Sequence, residues 1–343
     1  MAQLFSTFAQ FKANIGGAIN TSVDLESLAP VIEDAARSHL VPFLGQSFYD
    51  ALVAGIAGTP TAAQTALVPF VRKALAKLTM FEYLKIANVQ FGESGLHRIE
   101  NENRKSAYRY QEREYSEYHQ TNGYNDIETM LKFLSDNQAQ YPTWVSTEEA
   151  QMHLNSLCNY AAQVRVTVQR QCDRFTFETL RPAINAATEF GIKRVIPIAL
   201  YNDLLNKYKA STLSTTEKNL VLMIRAAVFN TAISHAITEG WIKYDKGTIV
   251  VHELFGEQSA INKTSPQVSL SMVAWQNEIN ALKYNELLNT YIRNNKSSFL
   301  IAFDTASGGS NASADAWHID TAAEATAKAD TQTENRKKGI VSM

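Results

Sequence analysis

Residues Leu28 to Leu52 (LAPVIEDAARSHLVPFLGQSFYDAL) return as Leu180 to Leu204 (LRPAINAATEFGIKRVIPIALYNDL). A chain that carries one segment twice is constrained to fold as two related units rather than one undivided core. The copies align without a gap and share Leu28/Leu180, Pro30/Pro182, Ile32/Ile184, Ala35/Ala187, Tyr49/Tyr201 and Leu52/Leu204. The residues downstream of each copy repeat as well. Leu67-Val68, Arg72 and Ala74 match Leu220-Val221, Arg225 and Ala227, and Glu128, Phe133 and Asn137 match Glu286, Tyr291 and Asn295. The offset drifts from 152 to 158 residues, with the extra residues in loops, as an old tandem duplication leaves it.

Periodicity makes the chain mainly α: two tandem helical-bundle modules, each with a small β-hairpin, followed by a flexible C-terminal tail. Residues 1–23 read as an N-terminal helix or arm, with Leu4, Phe8, Phe11 and Ile15 at helical spacing. The first module spans 24–144. Its leading helix places Pro30 in the first turn, where a missing N–H costs nothing, and Pro42 and Gly45 bend the chain into the Tyr49 helix. The hairpins are expected at Val89–Phe91 with Leu96–Ile99 and at Trp241–Tyr244 with Thr248–His252. The segment Gln138 to Trp144 marks the boundary, and Ser146-Thr-Glu-Glu149 opens a helix to about Arg170. The second module spans 145–302. Val268, Met272, Trp275, Ile279 and Leu282 alternate at four and three residues, which reads first as core or as a helix seam.

Composition narrows the function classes. The net charge of −2 gives no global basic field of the kind that marks nucleic-acid binders. Cys158 and Cys172 form no CxxC and have no nearby His pair, so neither a disulfide framework nor a zinc site is expected. The N-terminus lacks a basic n-region and an unbroken apolar run, and no stretch reads as a membrane helix. A signal peptide and a membrane partner are therefore not expected, and the chain reads as cytosolic or built into a particle assembled in the cytosol. No two of the seven histidines sit at i,i+3 or i,i+4, so no helix-borne metal site is expected. His235, on an apolar helix, reads as a core histidine. No GxSxG occurs, and Gly92-x-x-Gly95 and Gly308-Gly309 make poor phosphate loops. The pairs Glu33-Asp34 and Glu148-Glu149 are read as helix N-terminal charges. No catalytic residue, cofactor or metal is expected, and the chain is not read as an enzyme.

Two stretches suggest surfaces. Arg104, Lys105 and Arg109 interleave with Tyr108, Tyr115 and Tyr118, a pattern able to hold a nucleic-acid backbone. Glu112, Glu114 and Glu117 offset that charge, so the favoured reading is a helix packing Tyr108, Tyr115 and Tyr118 on a protein, with ion pairs outside. In the arm, 303–343, Trp317 and Ile319 stand amid Ala, Ser, Thr, Asp and Gly, and Ile340-Val341 lie near a basic end. So little apolar surface does not offset ordering entropy, and the segment reads as a tail that orders against a neighbouring subunit.

Each half resembles the head–tail connector (adaptor) proteins of tailed bacteriophages and prophages. The pattern that carries this is Leu28-Ala-Pro30, then Leu40-Val-Pro-Phe-Leu-Gly45, then Tyr49-Asp-Ala-Leu52, then a long helix with Arg72 or Arg225, a hairpin and a closing helix. It is most similar to phage-type proteins of Bacteroidetes genomes in which the unit occurs twice, over about 24–137 and 176–295. The second copy departs from it at Ile192-Lys-Arg-Val-Ile-Pro197, which argues against equal roles for the halves. The resemblance implies a structural virion protein in the neck. Its copies would form a homo-oligomeric ring under the portal protein, hold tail or further neck proteins, and let DNA pass without sequence specificity. Under it, Arg104, Lys105 and Arg109 become candidates for the channel wall, and Trp317, Ile319, Ile340, Val341 and the three tyrosines candidates for interfaces. Twelve copies would stack two tiers of modules and six would place twelve modules in one ring; divergence of the halves favours twelve. The competing readings are another neck or tail-completion protein and a non-viral cytosolic helical scaffold.

Overall fold

The computed structural model describes residues 4–15, 25–87, 89–92, 95–98, 109–245, 248–251 and 267–299. In chain order the first module contains Phe8–Ala13 (α1), Leu25–Ala35 (α2), a π-helical turn at Ala36–Leu40, Val41–Leu44 (α3), Gln46–Ala57 (α4) and Ala62–Ile86 (α5). Strand Val89–Gly92 (β1) pairs antiparallel with Gly95–Arg98 (β2). Arg109–Asp136 (α6), Pro142–Val145 (α7) and Glu148–Leu154 (α8) come next. The second module runs through Ala161–Val168 (α9), Arg174–Ala186 (α10), a π-helical turn at Ala187–Ile192, Lys193–Val195 (α11), Ile198–Lys209 (α12) and Thr215–Thr238 (α13). Ile242–Asp245 (β3) pairs antiparallel with Thr248–Val251 (β4), and Gln267–Asn294 (α14) closes it. The mainly helical class and the tandem order match the sequence reading.

The equivalence reaches single hydrogen bonds. Thr61 with Gln64 opens α5 in a reciprocal capping box, and Ser214 with Glu217 opens α13 in the same way. Arg72 Nε donates to the Leu4 carbonyl at 2.7 Å, and Arg225 Nε donates to the Leu157 carbonyl at 2.7 Å, each 68 residues back along the chain. Asn137 and Asn295 each return a side-chain N–H to the carbonyl four residues earlier, at the ends of α6 and α14. Even the π turns coincide. An extra residue in a helical turn widens it and re-aims the side chains beyond it, and such turns survive only where the surrounding packing holds them.

These contacts redraw the module limits. Leu4, Phe5, Phe11 and Ile15 are buried in the same core as α2 and α5, so residues 4–15 are part of the first module and not an arm. Trp144, Ala150 and Leu154 belong to that core too, and Trp144 Nε1 donates to the Phe43 carbonyl at 3.2 Å. The second core begins at Leu157 and reaches Phe299. The boundary thus lies between Leu154 and Leu157, later than the Gln138–Trp144 stretch. The helix opened by Thr147 ends at Leu154, well short of Arg170.

Other expectations are corrected in detail. Pro30 and Pro182 sit inside α2 and α10 rather than in their first turns. Both are exposed, so water can satisfy the carbonyl each leaves without an N–H. Glu33-Asp34 lies in the last turn of α2 and pairs with Arg37, away from any N-terminus. His235 is exposed on α13 with its ring against Trp241, 5.7 Å between centroids; the buried histidines among the described residues are His39, His119 and His153. Helix α13 has the length and hydropathy of a membrane span, unlike the sequence reading, but 67% of its apolar window is buried inside the second module. It is the central helix of that core.

Gly45 does what its sequence position suggests. With φ at +78° it turns α3 into α4, and a Cβ there would stand 2.8 Å from Glu149 Oε2 and 2.9 Å from Thr147 Cγ2. The second module makes the same bend with extended Ile196 and Pro197.

The paired Arg–carbonyl ties give a first test. Arg72→Met and Arg225→Met should each cost about 2 kcal/mol in urea denaturation, the scale of a hydrogen bond from a charged donor. Arg72→Met should in addition expose residues 4–15 to limited proteolysis.

Candidate functional site

The junction between the modules holds a buried network of polar and charged groups. Arg174, at the start of α10, has no exposed surface. Its Nη1 donates to the Asn159 carbonyl at 2.9 Å, and its Nη2 lies 2.6 Å from Glu178 Oε1. The guanidinium also faces the rings of Phe43 from the first module and Phe177 from the second, at 5.4 and 5.2 Å. Burial lowers its pKa, and Glu178 and Glu128 work against that. Burial in turn works against the Glu178 carboxylate, but Arg181 and Arg174 outweigh it and hold the group below the ordinary carboxylate range.

From the first module, Glu128 on α6 accepts from the backbone N–H groups of Ala161 and Ala162 at 2.9 and 3.1 Å. A carboxylate there satisfies two orphan donors of α9 and complements its dipole. Tyr124, one turn earlier, packs its ring 5.1 Å from Phe175 of α10 and lies 3.0 Å from His39 Nδ1. His39 Nε2 is 2.8 Å from Glu82, which also holds Lys85. A carboxylate, an imidazole and a phenol in line resemble an acid–base relay. Tyr124, however, is only 8% exposed, and burial, followed by Glu178 and Glu82, pushes its hydroxyl up to about 12. The line fastens the π turn of the first module to α6.

Beside the junction lies a cleft of about 640 Å³, whose walls include Glu128, Lys132, Tyr160, Gln163, Tyr208 and Arg225. Gln163 and Tyr208 share Asn159, and the Arg225 guanidinium stacks on Tyr208 at 4.9 Å. These groups largely satisfy one another. No cluster of three His, Cys, Asp or Glu able to hold a metal occurs among the described residues. Cys158 and Cys172 are free thiols whose pKa values burial raises.

Of the residues singled out from sequence, Tyr115 and Tyr118 stand on α6, both partly exposed, flanking His119 with ring centroids 4.5 and 5.3 Å away. Arg113 and Glu117 form the expected ion pair outside them at 2.7 Å. Arg109 begins α6, and its side chain lies outside the described residues. Arg104, Lys105, Tyr108, Trp317, Ile319, Ile340 and Val341 also lie outside them. Sequence reasoning missed Arg174, although Arg174, Glu178 and Arg181 at helical spacing are a legible charge pattern. It also missed His119, whose two ring nitrogens are buried without partners. Burial and Lys77 lower its pKa to about 4.

A family model described as a family of unknown function, DUF6712, matches the chain twice, over residues 40–152 and 192–311. The two matches begin in equivalent places, at the end of each π turn. No curated protein and no solved structure matches.

This chemistry gives two expected outcomes. Arg174→Met should cost roughly 3 kcal/mol, since Glu178 loses a buried partner, and should split a single urea transition into two as the modules uncouple. His119, and His153 beside Arg174 and Arg181, are depressed in the fold and stay neutral there. The unfolded chain takes up their protons below the ordinary value of 6.5, so the stability they contribute is present above that pH and lost as pH falls toward 4. His119→Asn, the residue at the equivalent position 277, should remove roughly 2 kcal/mol of that acid-side loss in melts taken across the window.

Proposed function

The chain belongs to that family in both of its modules, and from this premise we propose that it is a structural virion protein, a head–tail connector of a tailed phage. In this reading its copies form a ring below the portal, around the DNA channel, and carry tail or neck proteins on the far side. One observation carries it: a single helical module is repeated down to its caps, π turns and Arg–carbonyl ties. Such repetition makes a rigid building block, and rigid blocks that pack side by side are what a ring requires. The order of elements, from the Leu28-Ala-Pro30 start through the Gly45 bend to the closing helix, supports the resemblance that names the role.

The finer parts of the reading concern reach and channel. The ribbons β1–β2 and β3–β4 serve as the hairpins that extend toward neighbours, and residues 303–343 as the arm that orders against an adjoining subunit through Trp317, Ile319, Ile340 and Val341. Arg104, Lys105 and Arg109 face the channel, where a few cations on a chain of net charge −2 guide DNA without holding it. No catalytic step is assigned. A non-viral helical scaffold uses the same repeated module, and gene neighbourhood separates the two: portal, terminase and capsid genes beside this one belong to the connector.

The full-length chain should assemble into closed rings visible by negative-stain microscopy, with native mass giving six or twelve copies. A monodisperse monomer at high concentration that also ignores the portal protein would overturn the proposal.

A further inference from the structure

Helices α6 and α14 hold the same place in their modules and are each 28 residues long. Their buried faces differ in one respect. On α6, His119, Met130 and Leu134 are buried against its own module, as Asn277, Leu288 and Ile292 are on α14. On α6 a second stripe, Tyr124, Ile127 and Leu131, is buried as well, along the side where Tyr124 and Glu128 meet the second module. The equivalent stripe on α14 is Leu282, Asn285 and Asn289.

That stripe is only partly covered within the described chain. Leu282 is 53% exposed, and the side-chain oxygens of Asn285 and Asn289 are buried without hydrogen-bond partners. Trp275, two turns earlier on the same seam, is 54% exposed, and Met272 is 63% exposed. Of the apolar spacing that reads in the sequence as core or as a helix seam, Met272, Trp275 and Leu282 face outward. Where the first module places His39 against Tyr124, the second places Gly191, beside which a Cβ would meet nothing within 4 Å, and the neighbouring Phe190 is exposed. Glu286 stands where Glu128 holds the second module, and it is exposed.

Resting on the reading that copies of this chain associate, we infer that the seam Met272–Trp275–Leu282–Glu286 of α14 receives the first module of a second copy. The contact repeats the one that α6 makes with α9 and α10 inside the chain. The incoming surface is the first-module equivalent of those helices, α1 and α2. Reuse of one module-to-module contact explains why only the last helix keeps a partly uncovered apolar stripe at these positions. It is a head-to-tail contact, which closes into rings or runs on as filaments but does not stop at a dimer. It strings first and second modules alternately in one tier, so it favours six copies carrying twelve modules over two tiers of twelve.

The test uses the full-length chain with a photo-crosslinking amino acid at Trp275, and separately the Trp275→Glu/Leu282→Glu double variant, whose substitutions lie on the surface. Crosslinks should map to residues 4–35 of another copy, and the double variant should sediment as a monomer with its circular dichroism melt unchanged. Crosslinks to another copy's own α14, or assembly of the double variant as in the wild type, would overturn this contact while leaving ring formation standing. A wild-type chain that stays monomeric and crosslinks to no second copy overturns both. Loss of helicity in the double variant would assign the seam to the fold and overturn the contact as well.

Discussion

A guanidinium with no access to water is tolerable only where charge, hydrogen bonds and aromatic faces are all supplied by its surroundings. Arg174 has Glu178, the Asn159 carbonyl, Phe43 and Phe177. Its ion pair, its carbonyl and one ring come from the second module, while the Phe43 ring and the Glu128 carboxylate, at 3.8 Å, come from the first, so its surroundings are complete only when the modules are seated on each other. This dependence turns two tandem bundles into one body. Glu128 acts in the same sense from the other side, closing the start of α9 with a carboxylate from α6. Uncoupling the modules would strip the Phe43 face and the Glu128 carboxylate from Arg174, and leave two backbone donors and a tyrosine ring without their partners.

The duplication explains which parts diverged. Each module keeps the interactions that hold it together: the capping box at its long helix, the arginine tie to its first residues and the asparagine at the end of its last helix. The residues facing the other module were free to change, because after duplication one copy's face is covered and the other's is not. His39, Glu82 and Tyr124 stand where the second module has Gly191, His235 and Leu282. Lys77 and Asp126 form a buried pair at 2.6 Å, and their equivalents are Asn230 and Tyr284. The His39–Tyr124 line stands beside the shared boundary, where Tyr124 meets Phe175, whereas the Lys77–Asp126 pair lies inside the first module.

This asymmetry bears on function. A duplicated block with a covered face at one end and an uncovered, partly apolar face at the other has a direction. Direction is what distinguishes a subunit that adds head to tail from one that pairs with itself. The tyrosine face of α6 is an exposed surface of another kind, amphipathic and edged by the Arg113–Glu117 pair.

The sequence alone determined the helical class, the duplication, the two long central helices and the Gly45 bend. These rest on periodicity, caps and backbone chemistry within a few turns, which local residues dictate. It could mark Arg72 and Arg225 as matched but not say what they held, because their partners lie 68 residues away. The module limits were misplaced for a similar reason: Leu4 and Trp144 look peripheral in the sequence and are buried only once the bundle closes around them. The Met272–Leu282 spacing shows most plainly where sequence stops. An apolar stripe at helical period says that a face is to be covered; only the tertiary structure decided that its own module covers the neighbouring face instead, leaving this one outward.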